Sequence, residues 1–203
     1  MPLIPNGGTV TRDELRQRLR EARRTLIPEA RRAAAIAAVD ILAATTQYRD
    51  AKRIAVYIAM DSELDPEPLV QRARAAGKDI YLPVLPTTEA ASLGFLPYAA
   101  DTPLKPNRFR ILEPVAGEPC APADLDLVLT PLVGFDPVGN RLGMGAGFYD
   151  KTFAFLKRVQ RARPALIGYA YECQKMPELT PEAWDVPLAG VVTEQQFYAF
   201  GGD

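Results

Sequence analysis

Histidine is absent from all 203 residues of the chain. Its absence removes the usual general base near neutral pH, the Ser–His and Cys–His nucleophile pairs, and most catalytic zinc sites. Any catalysis must use carboxylates, cationic side chains, backbone dipoles or a hard metal. Cysteine is nearly as scarce. Cys120 and Cys173 cannot build a disulfide framework; they read as structural and suit a reducing cytoplasm. No apolar run approaches the about 18–20 residues that span a bilayer. Met1–Val10 has neither the basic nor the apolar segment of a secretory leader. A formal net charge of −1 gives no general electrostatic case for nucleic acid. A cytoplasmic protein without membrane or nucleic-acid partners is expected.

What the chain does have is Gly134–Leu156, around which the rest is arranged. An apolar, β-rich run, Leu125–Val133, precedes it, and helical spacing follows from Phe148 to Arg161. Between them lie Gly139, Gly143, Gly145 and Gly147, with Arg141 among them and Asp150 just beyond. A strand feeding a glycine-rich loop that opens a helix can hold phosphate. Glycines let backbone N–H groups approach an anion, and a helix N-terminus adds partial positive charge. A tight turn using glycine for positive φ is the plainer alternative. The spacing also excludes. There is no Gly-Lys-Ser/Thr ending, the last glycine comes too early for a dinucleotide fingerprint, and a kinase would need a histidine-containing catalytic loop.

Taken in order, Thr11–Leu26 is a predicted helix with Leu15, Leu19, Ala22 and Leu26 along one face and a Thr11/Glu14 capping box. Its other faces carry Arg12, Arg16, Arg18, Arg20, Arg23 and Arg24. These form a solvated face, or one or two of them meet an anionic ligand. Pro28 starts a second helix, Glu29–Ala44, with Ile36, Val39 and Leu42 on its core side. Arg53–Met60 is apolar on both faces, as in a covered parallel strand, and ends in the acidic Asp61–Asp65 loop at the end where α/β sheets bind ligands. Helix Pro66–Ala76 and strand Asp79–Leu85 complete a βαβ unit. Thr87–Pro122 is irregular, with short strands near Leu93–Tyr98 and a loop at Lys105–Phe109; Pro164–Ala170 and Gly190–Thr193 are further strands. The alternation predicts an α/β fold: a single domain over residues 1–203, with about 1–10 a flexible extension. It has a mostly parallel sheet with helices on both faces, Rossmann-like and three-layered.

Several segments then match one family in order. Arg141-Leu142-Gly143-Met144-Gly145-Ala146-Gly147-Phe148-Tyr149-Asp150 resembles the Arg-Leu-Gly-x-Gly-x-Gly-aromatic-Tyr-Asp signature of the 5-formyltetrahydrofolate cyclo-ligases. Arg12-x-x-Leu15-Arg16 is similar to their Lys-x-x-Leu-Arg. Met60–Asp65, Phe109–Pro114, Gly168–Ala170, Gln174, Asp185–Leu188 and Val191–Thr193 resemble further stretches, so the likeness spans about Arg12–Thr193. It implies ATP- and Mg²⁺-dependent conversion of 5-formyltetrahydrofolate to 5,10-methenyltetrahydrofolate by a monomer through a phosphorylated formyl group. Phosphoryl transfer asks for positioning and charge stabilisation rather than a protein nucleophile, which a histidine-free site can supply.

Carried over by position, the resemblance makes Arg12, Asp13, Glu14, Leu15 and Arg16 ATP contacts, together with Arg141, Leu142, Gly143, Met144, Gly145, Ala146, Gly147, Phe148 and Tyr149. Arg141 and Tyr149 become catalytic. Arg16, Ile58, Glu63 and Met144, Gly145, Ala146, Gly147 and Phe148 line the folate pocket, and Asp150 binds Mg²⁺. Glu63 would match the amino-pyrimidine edge of a pterin with paired acceptors; a helix-dipole role is its alternative, as it is for Asp150. Arg20, off the motif, is expected to be solvated. Ala189 stands where many members have Asp, and restoring an Asp there is expected to be tolerated. Two other functions stay open: a non-catalytic folate-binding protein, and a sugar-phosphate-binding protein of similar architecture.

Overall fold

The computed structural model describes residues 10–88, 92–157 and 163–200. Most of the expected N-terminal extension, residues 1–9, lies outside them. Helix α1 (Arg12–Arg24) starts at the predicted capping box: the Thr11 N–H donates to Glu14 Oε2 at 2.8 Å and the Glu14 N–H to Thr11 Oγ1 at 3.3 Å. Next come α2 (Pro28–Ala43), α3 (Thr46–Asp50), β1 (Arg53–Ala55), α4 (Glu67–Ala75), β2 (Asp79–Val84), β3 (Gly94–Pro97), β4 (Leu104–Pro106) and β5 (Leu112–Pro114). The second half holds β6 (Leu127–Thr130), β7 (Gly134–Phe135), β8 (Arg141–Leu142), α5 (Phe148–Phe153), β9 (Ala165–Tyr169), β10 (Gly190–Val192) and β11 (Phe197–Ala199).

The central sheet has seven strands in the order β11-β10-β9-β6-β1-β2-β3. The inner pairs are parallel, while β3 and β11 close the edges antiparallel. Side chains alternate between two cores, as the pleat requires. Ile54, Leu127, Leu129 and Ile167 pack on one face with Val39 and Leu42 of α2 and Leu69 of α4. Ala55, Val128 and Leu166 pack on the other face with Phe153 of α5. Burial on both sides explains the near-continuous apolar strands. The predicted mostly parallel sheet with helices on both faces is what the chain forms.

Local differences have local causes. On α2 the buried side is Ala34, Ala35, Ala38, Val39 and Leu42, and Ile36 is exposed; small alanines let the helix lie close to the sheet. Lys105 and Pro106, predicted as loop, form β4 paired with β5, because the proline takes an edge position needing no N–H. Strand β1 ends its ladder at Ala55 with only the Val56 N–H continuing to Tyr81 O, so Tyr57–Met60 are free to line a crevice. The helix expected over Phe148–Arg161 is six residues of α5 followed by a 3₁₀ turn, Ala154–Lys157; residues 158–162 lie outside the described set.

Candidate active site

Chain order reverses between β1 and β6. From β1 the chain moves outward to β2 and β3, and from β6 it moves the other way to β9 and β10. Such a switch point opens a crevice at the carboxyl ends of the two strands, because their following loops diverge. Here the crevice is a cavity of about 430 Å³. Tyr57, Ile58, Met60 and Glu63 come from beyond β1; Pro131 and the glycine loop come from beyond β6; Asn107, Phe109 and Leu112 of the β4–β5 hairpin form a third wall. The lining is mainly apolar, and Phe109 and Met144 are each about half exposed.

The glycine loop does not leave the sheet directly. Between β6 and the loop stands the β7–β8 hairpin, pinned by Asp136, which is fully buried. Its Oδ1 accepts the N–H groups of Val138 and Asn140 at 3.1 and 2.9 Å, and its Oδ2 accepts the Leu179 N–H at 3.0 Å. The loop then reaches α5 through Gly145 (φ 113°) and Gly147 (φ 66°), a backbone that side-chain-bearing residues rarely adopt. Arg16 of α1 lies along this loop. Its Nε donates to the Gly143 carbonyl at 2.9 Å, its Nη1 pairs with Asp13 at 2.5 Å, and its guanidinium would sit 3.9 Å from a Cβ on Gly145. With α5 so short, an anion here would rely on loop N–H groups and arginine rather than on a long helix dipole.

Arg141 is buried and held on two sides, by the Val186 carbonyl and by an ion pair to Asp150 Oδ1. The same Asp150 oxygen accepts the Val186 N–H at 3.0 Å. Arg12 joins this rim: it donates to Thr180 O at 2.8 Å and lies 3.8 Å from Asp185, the neighbour of Val186. Tyr149 stacks on Phe153 with centroids 6.3 Å apart. Burial first, then the Glu63 charge, push its phenol well above the ordinary value against the pull of Arg141. At neutral pH Tyr149 is a hydrogen-bond donor, not a base.

Glu63 sits at the opposite wall, after a turn in which Asp61 (φ 46°) and Ser62 (φ 63°) are both left-handed. Its Oε2 accepts the Met60 N–H at 3.0 Å. Burial raises its carboxyl above the ordinary value, opposed by the Met60 N–H and the Arg23 charge. The turn is braced by α1: Arg20 donates to Asp61 Oδ2 at 2.6 Å and Arg24 to Oδ1 at 2.7 Å. Burial pushes the Asp61 carboxyl up, but the hydrogen bonds from Arg24 and Arg20 outweigh it and hold it below the usual value. Arg20 is therefore a structural ion-pair residue, not the solvated one expected. Asp65 does not line the cavity; its Oδ1 accepts the Glu67 N–H at 3.0 Å at the start of α4, the helix-end role considered for Glu63.

The structure thus gathers Arg16, Ile58, Glu63, Arg141 and Gly143–Asp150 around one crevice. It places the others of the N-terminal motif differently. Glu14 is committed to the helix cap, and Leu15 packs with Leu19 and Leu142. Among the described residues, no group of three His, Cys, Asp or Glu is gathered to hold a cation. Ala189 packs into the core shared with α2, while its neighbour Leu188 packs on the face of α5. A carboxylate at 189 would lie at the edge of that core rather than join Asp150. Sequence reading gave no role to Asn107 and Glu113, which line the cavity with the Asn107 amide donating to Glu113 Oε1 at 2.7 Å, and it did not single out Asp61 or Arg23 within their segments. Of these Arg23 left a signal: it follows Leu15 and Leu19 at four-residue steps, on the buried stripe of α1.

Known proteins with similar sequence and structure agree with one another. The sequence profile of the 5-formyltetrahydrofolate cyclo-ligase family matches residues 9–194. The chain is 38% identical over 182 residues to the 5-formyltetrahydrofolate cyclo-ligase of Escherichia coli strain K12, covering 89% of this chain and 98% of that protein. Against the Haemophilus influenzae protein of the same name it is 38% identical over 187 residues, covering 91% and 98%. The solution structure of Aquifex aeolicus 5,10-methenyltetrahydrofolate synthetase superposes with a TM-score of 0.79 at 30% identity, over 95% of this chain and 94% of that one.

Proposed function

The chain belongs to the 5-formyltetrahydrofolate cyclo-ligase family, and from that premise we propose that it closes 5-formyltetrahydrofolate to 5,10-methenyltetrahydrofolate at the expense of ATP. The observation that carries the reading is the Arg16–Gly143 contact. It joins the two motifs assigned to nucleotide at the rim of an apolar cavity whose far wall bears Glu63. An apolar lining of this kind suits a pterin and its aminobenzoyl ring and argues against a sugar phosphate. As the resemblance implies, the reading takes the protein to act as a monomer.

In this reading the formyl oxygen attacks the γ-phosphorus of ATP and ADP leaves. N10 then attacks the activated carbon, and phosphate departs with the former formyl oxygen, taking up the N10 proton. Glu63 accepts the paired N–H donors of the pterin and fixes the ring, so that N10 attack is intramolecular and its entropic barrier is low. Arg141, clamped by Val186 and Asp150, presents a fixed cation where phosphoryl charge builds. Tyr149 donates a hydrogen bond, since its proton is held tightly. Arg16 and the N–H groups of Gly143–Gly147 hold the phosphates. The apolar walls keep water from the phosphorylated formyl group before ring closure.

The donor set fits a magnesium ion that arrives on the nucleotide. Asp150 is the carboxylate beside the glycine loop, and phosphates and waters would supply the other ligands. When bound, the ion would draw charge from the phosphate oxygens. Asp150 would then divide its oxygens between the ion and Arg141. The test is formation of the methenyl product by absorbance, with ADP release, with ATP present and omitted and across a range of Mg²⁺. ATP-dependent product is expected. Folate binding without ADP at any Mg²⁺ concentration would instead establish a sequestering protein.

A further inference from the structure

Arg23 is the largest of the fully buried side chains, with 1% of its surface exposed. A guanidinium has five N–H donors and cannot lose its charge, so burying it without partners is unfavourable. Yet Nε and Nη1 make no hydrogen bond to the described residues. Nη2 reaches Asp61 Oδ2 only at 3.5 Å, and that oxygen already receives Arg20 at 2.6 Å. The other carboxylate in reach is Glu63, whose Oε1 lies 3.9 Å from Nη1. Thus Arg20 and Arg24 hold Asp61 closely, while Arg23 lies between the two carboxylates, with Nη2 toward Asp61 and the unbonded Nη1 facing Glu63.

We propose that Arg23 is a positioning residue for Glu63, a buried counter-cation that turns its carboxylate toward the cavity for the paired N–H donors of the substrate. The Met60 N–H holds Oε2 by a hydrogen bond, and the Arg23 charge faces Oε1 at 3.9 Å, so the carboxylate is oriented by one bond and one nearby cation and keeps lone pairs on both oxygens for the ligand. The inference rests on the reading that Glu63 receives the pterin edge. Other charged or titratable groups around Glu63 are Arg20 from α1, Asp61 from its own turn, Tyr57 from beyond β1, Tyr149 from α5 and Tyr171 from beyond β9, whose hydroxyl donates to the Glu63 carbonyl at 3.4 Å. Arg31, Arg32 and Asp65 share a neighbouring hollow with Glu63. None of these cations comes as deeply buried as Arg23. Without it, burial would favour the protonated carboxyl, which offers one acceptor fewer.

The experiment measures affinity for 5-formyltetrahydrofolate by calorimetry between pH 5 and 8 in the full chain, with affinity for a non-hydrolysable ATP analogue as the control. Arg23→Met should weaken folate binding about ten-fold at pH 7.5 and move the acid-side loss of binding up by about one pH unit, leaving nucleotide affinity unchanged. Arg23→Lys should return the acid limb toward its original position. Arg23→Gln repeats the measurement should the Met variant fold poorly. Glu63→Gln separates the two levels. If it leaves folate affinity intact, the substrate reading of Glu63 falls, and the role of Arg23 with it. If it abolishes binding while the acid limb stays in place in Arg23→Met and Arg23→Gln, the Glu63 reading stands and the role of Arg23 falls. An equal loss of nucleotide affinity in the Arg23 variants would reduce Arg23 to a general structural residue.

Discussion

Arg16 and Gly143, 127 residues apart, meet through a 2.9 Å hydrogen bond from the guanidinium to the backbone carbonyl. One turn further along α1, Arg20 bonds not to this loop but to Asp61 on the other side of the crevice. The basic helix therefore divides its charge. Its first turns attend the glycine loop, and its last turns hold the acidic turn that carries Glu63. A helix that spans both walls fixes the distance between the two proposed subsites, which attack of the formyl oxygen on the γ-phosphorus of ATP requires.

This division predicts different kinetic signatures for two neighbouring arginines. Arg16→Ala removes a charge-assisted contact proposed for phosphate, worth about 1.5–3 kcal/mol, and should raise the KM for ATP about ten- to a hundred-fold. Arg20→Ala should leave ATP almost untouched and raise the KM for folate by a smaller factor, because Arg24 still holds Asp61. Steady-state kinetics with each substrate varied in turn decides it. Equal effects on both substrates would mean that the basic face acts diffusely.

Asp61 should make stability depend on pH. Its folded carboxyl lies below the ordinary value of about 3.9, where burial is outweighed by the bonds from Arg24 and Arg20. A depressed carboxyl contributes stability that is present above the unfolded value and is lost as pH falls through the folded one. Asp61→Asn keeps a residue type that tolerates the left-handed backbone. It should therefore lower the melting temperature by about 3–6 °C near neutral pH, for a loss of about 1–2 kcal/mol. Variant and wild type should converge in acid. A constant gap across the pH range would show that charge is not the cause.

What was legible in the sequence is what local pattern encodes. The Thr11 cap, the Pro28 start and the doubly apolar strands each depend on a few adjacent residues; the cap and the start formed as read, and the strands formed where read but shorter, β1 ending at Ala55 rather than Met60. The β7–β8 hairpin was not legible. Its strands are two residues each, too short for a period, and what holds them is Asp136 bonding to Leu179, 43 positions away. For the same reason Arg20 was misread, since its partner Asp61 is brought to it only by the packing of α1 across the end of β1. Glycine spacing located the loop but overstated the helix after it. Apolar residues such as Phe155 and Leu156 continue the pattern, yet the backbone there tightens to a 3₁₀ turn.

Asp150 links the proposed metal to a buried ion pair, so its removal has two consequences. Asp150→Asn should cut turnover severely while ATP-analogue binding persists, because the neutral amide cannot offset a dication. It should also lower stability by about 3 kcal/mol, the order seen when one partner of a buried pair is lost, since Arg141 has only 4% of its side chain exposed. In the wild type, magnesium should bind weakly alone and much more tightly with a non-hydrolysable ATP analogue. Calorimetric titrations with and without the analogue, paired with turnover of the variant, provide the check. Tight nucleotide-free binding or near-normal turnover would remove Asp150 as the metal-side carboxylate.

Ala189 offers the opposite case, a position where a carboxylate should not help. The sequence comparison with family members suggests that an aspartate there is tolerated and could assist the metal. The structure packs its partly buried side chain against the core beneath α2, away from the face that holds Asp150 and α5. The backbone has no slack to turn it: the Ala189 N–H donates to Leu166 O at 2.9 Å and its carbonyl accepts the Phe200 N–H at 3.0 Å. Ala189→Asp should therefore lower the unfolding free energy by about 1 kcal/mol at neutral pH, the low end for a polar group buried without a partner, because the position is partly buried. Its carboxyl should titrate above the ordinary value, since burial disfavours the charged form. The folded state then holds its proton more tightly than the unfolded state does. By linkage the deficit is smallest below the unfolded value and grows as pH rises toward the folded one. Denaturant unfolding at pH 4 and pH 8, alongside magnesium titration with the ATP analogue, reads both effects. Unchanged stability together with tighter magnesium binding would show that the 189 side chain reaches the Asp150 face after all.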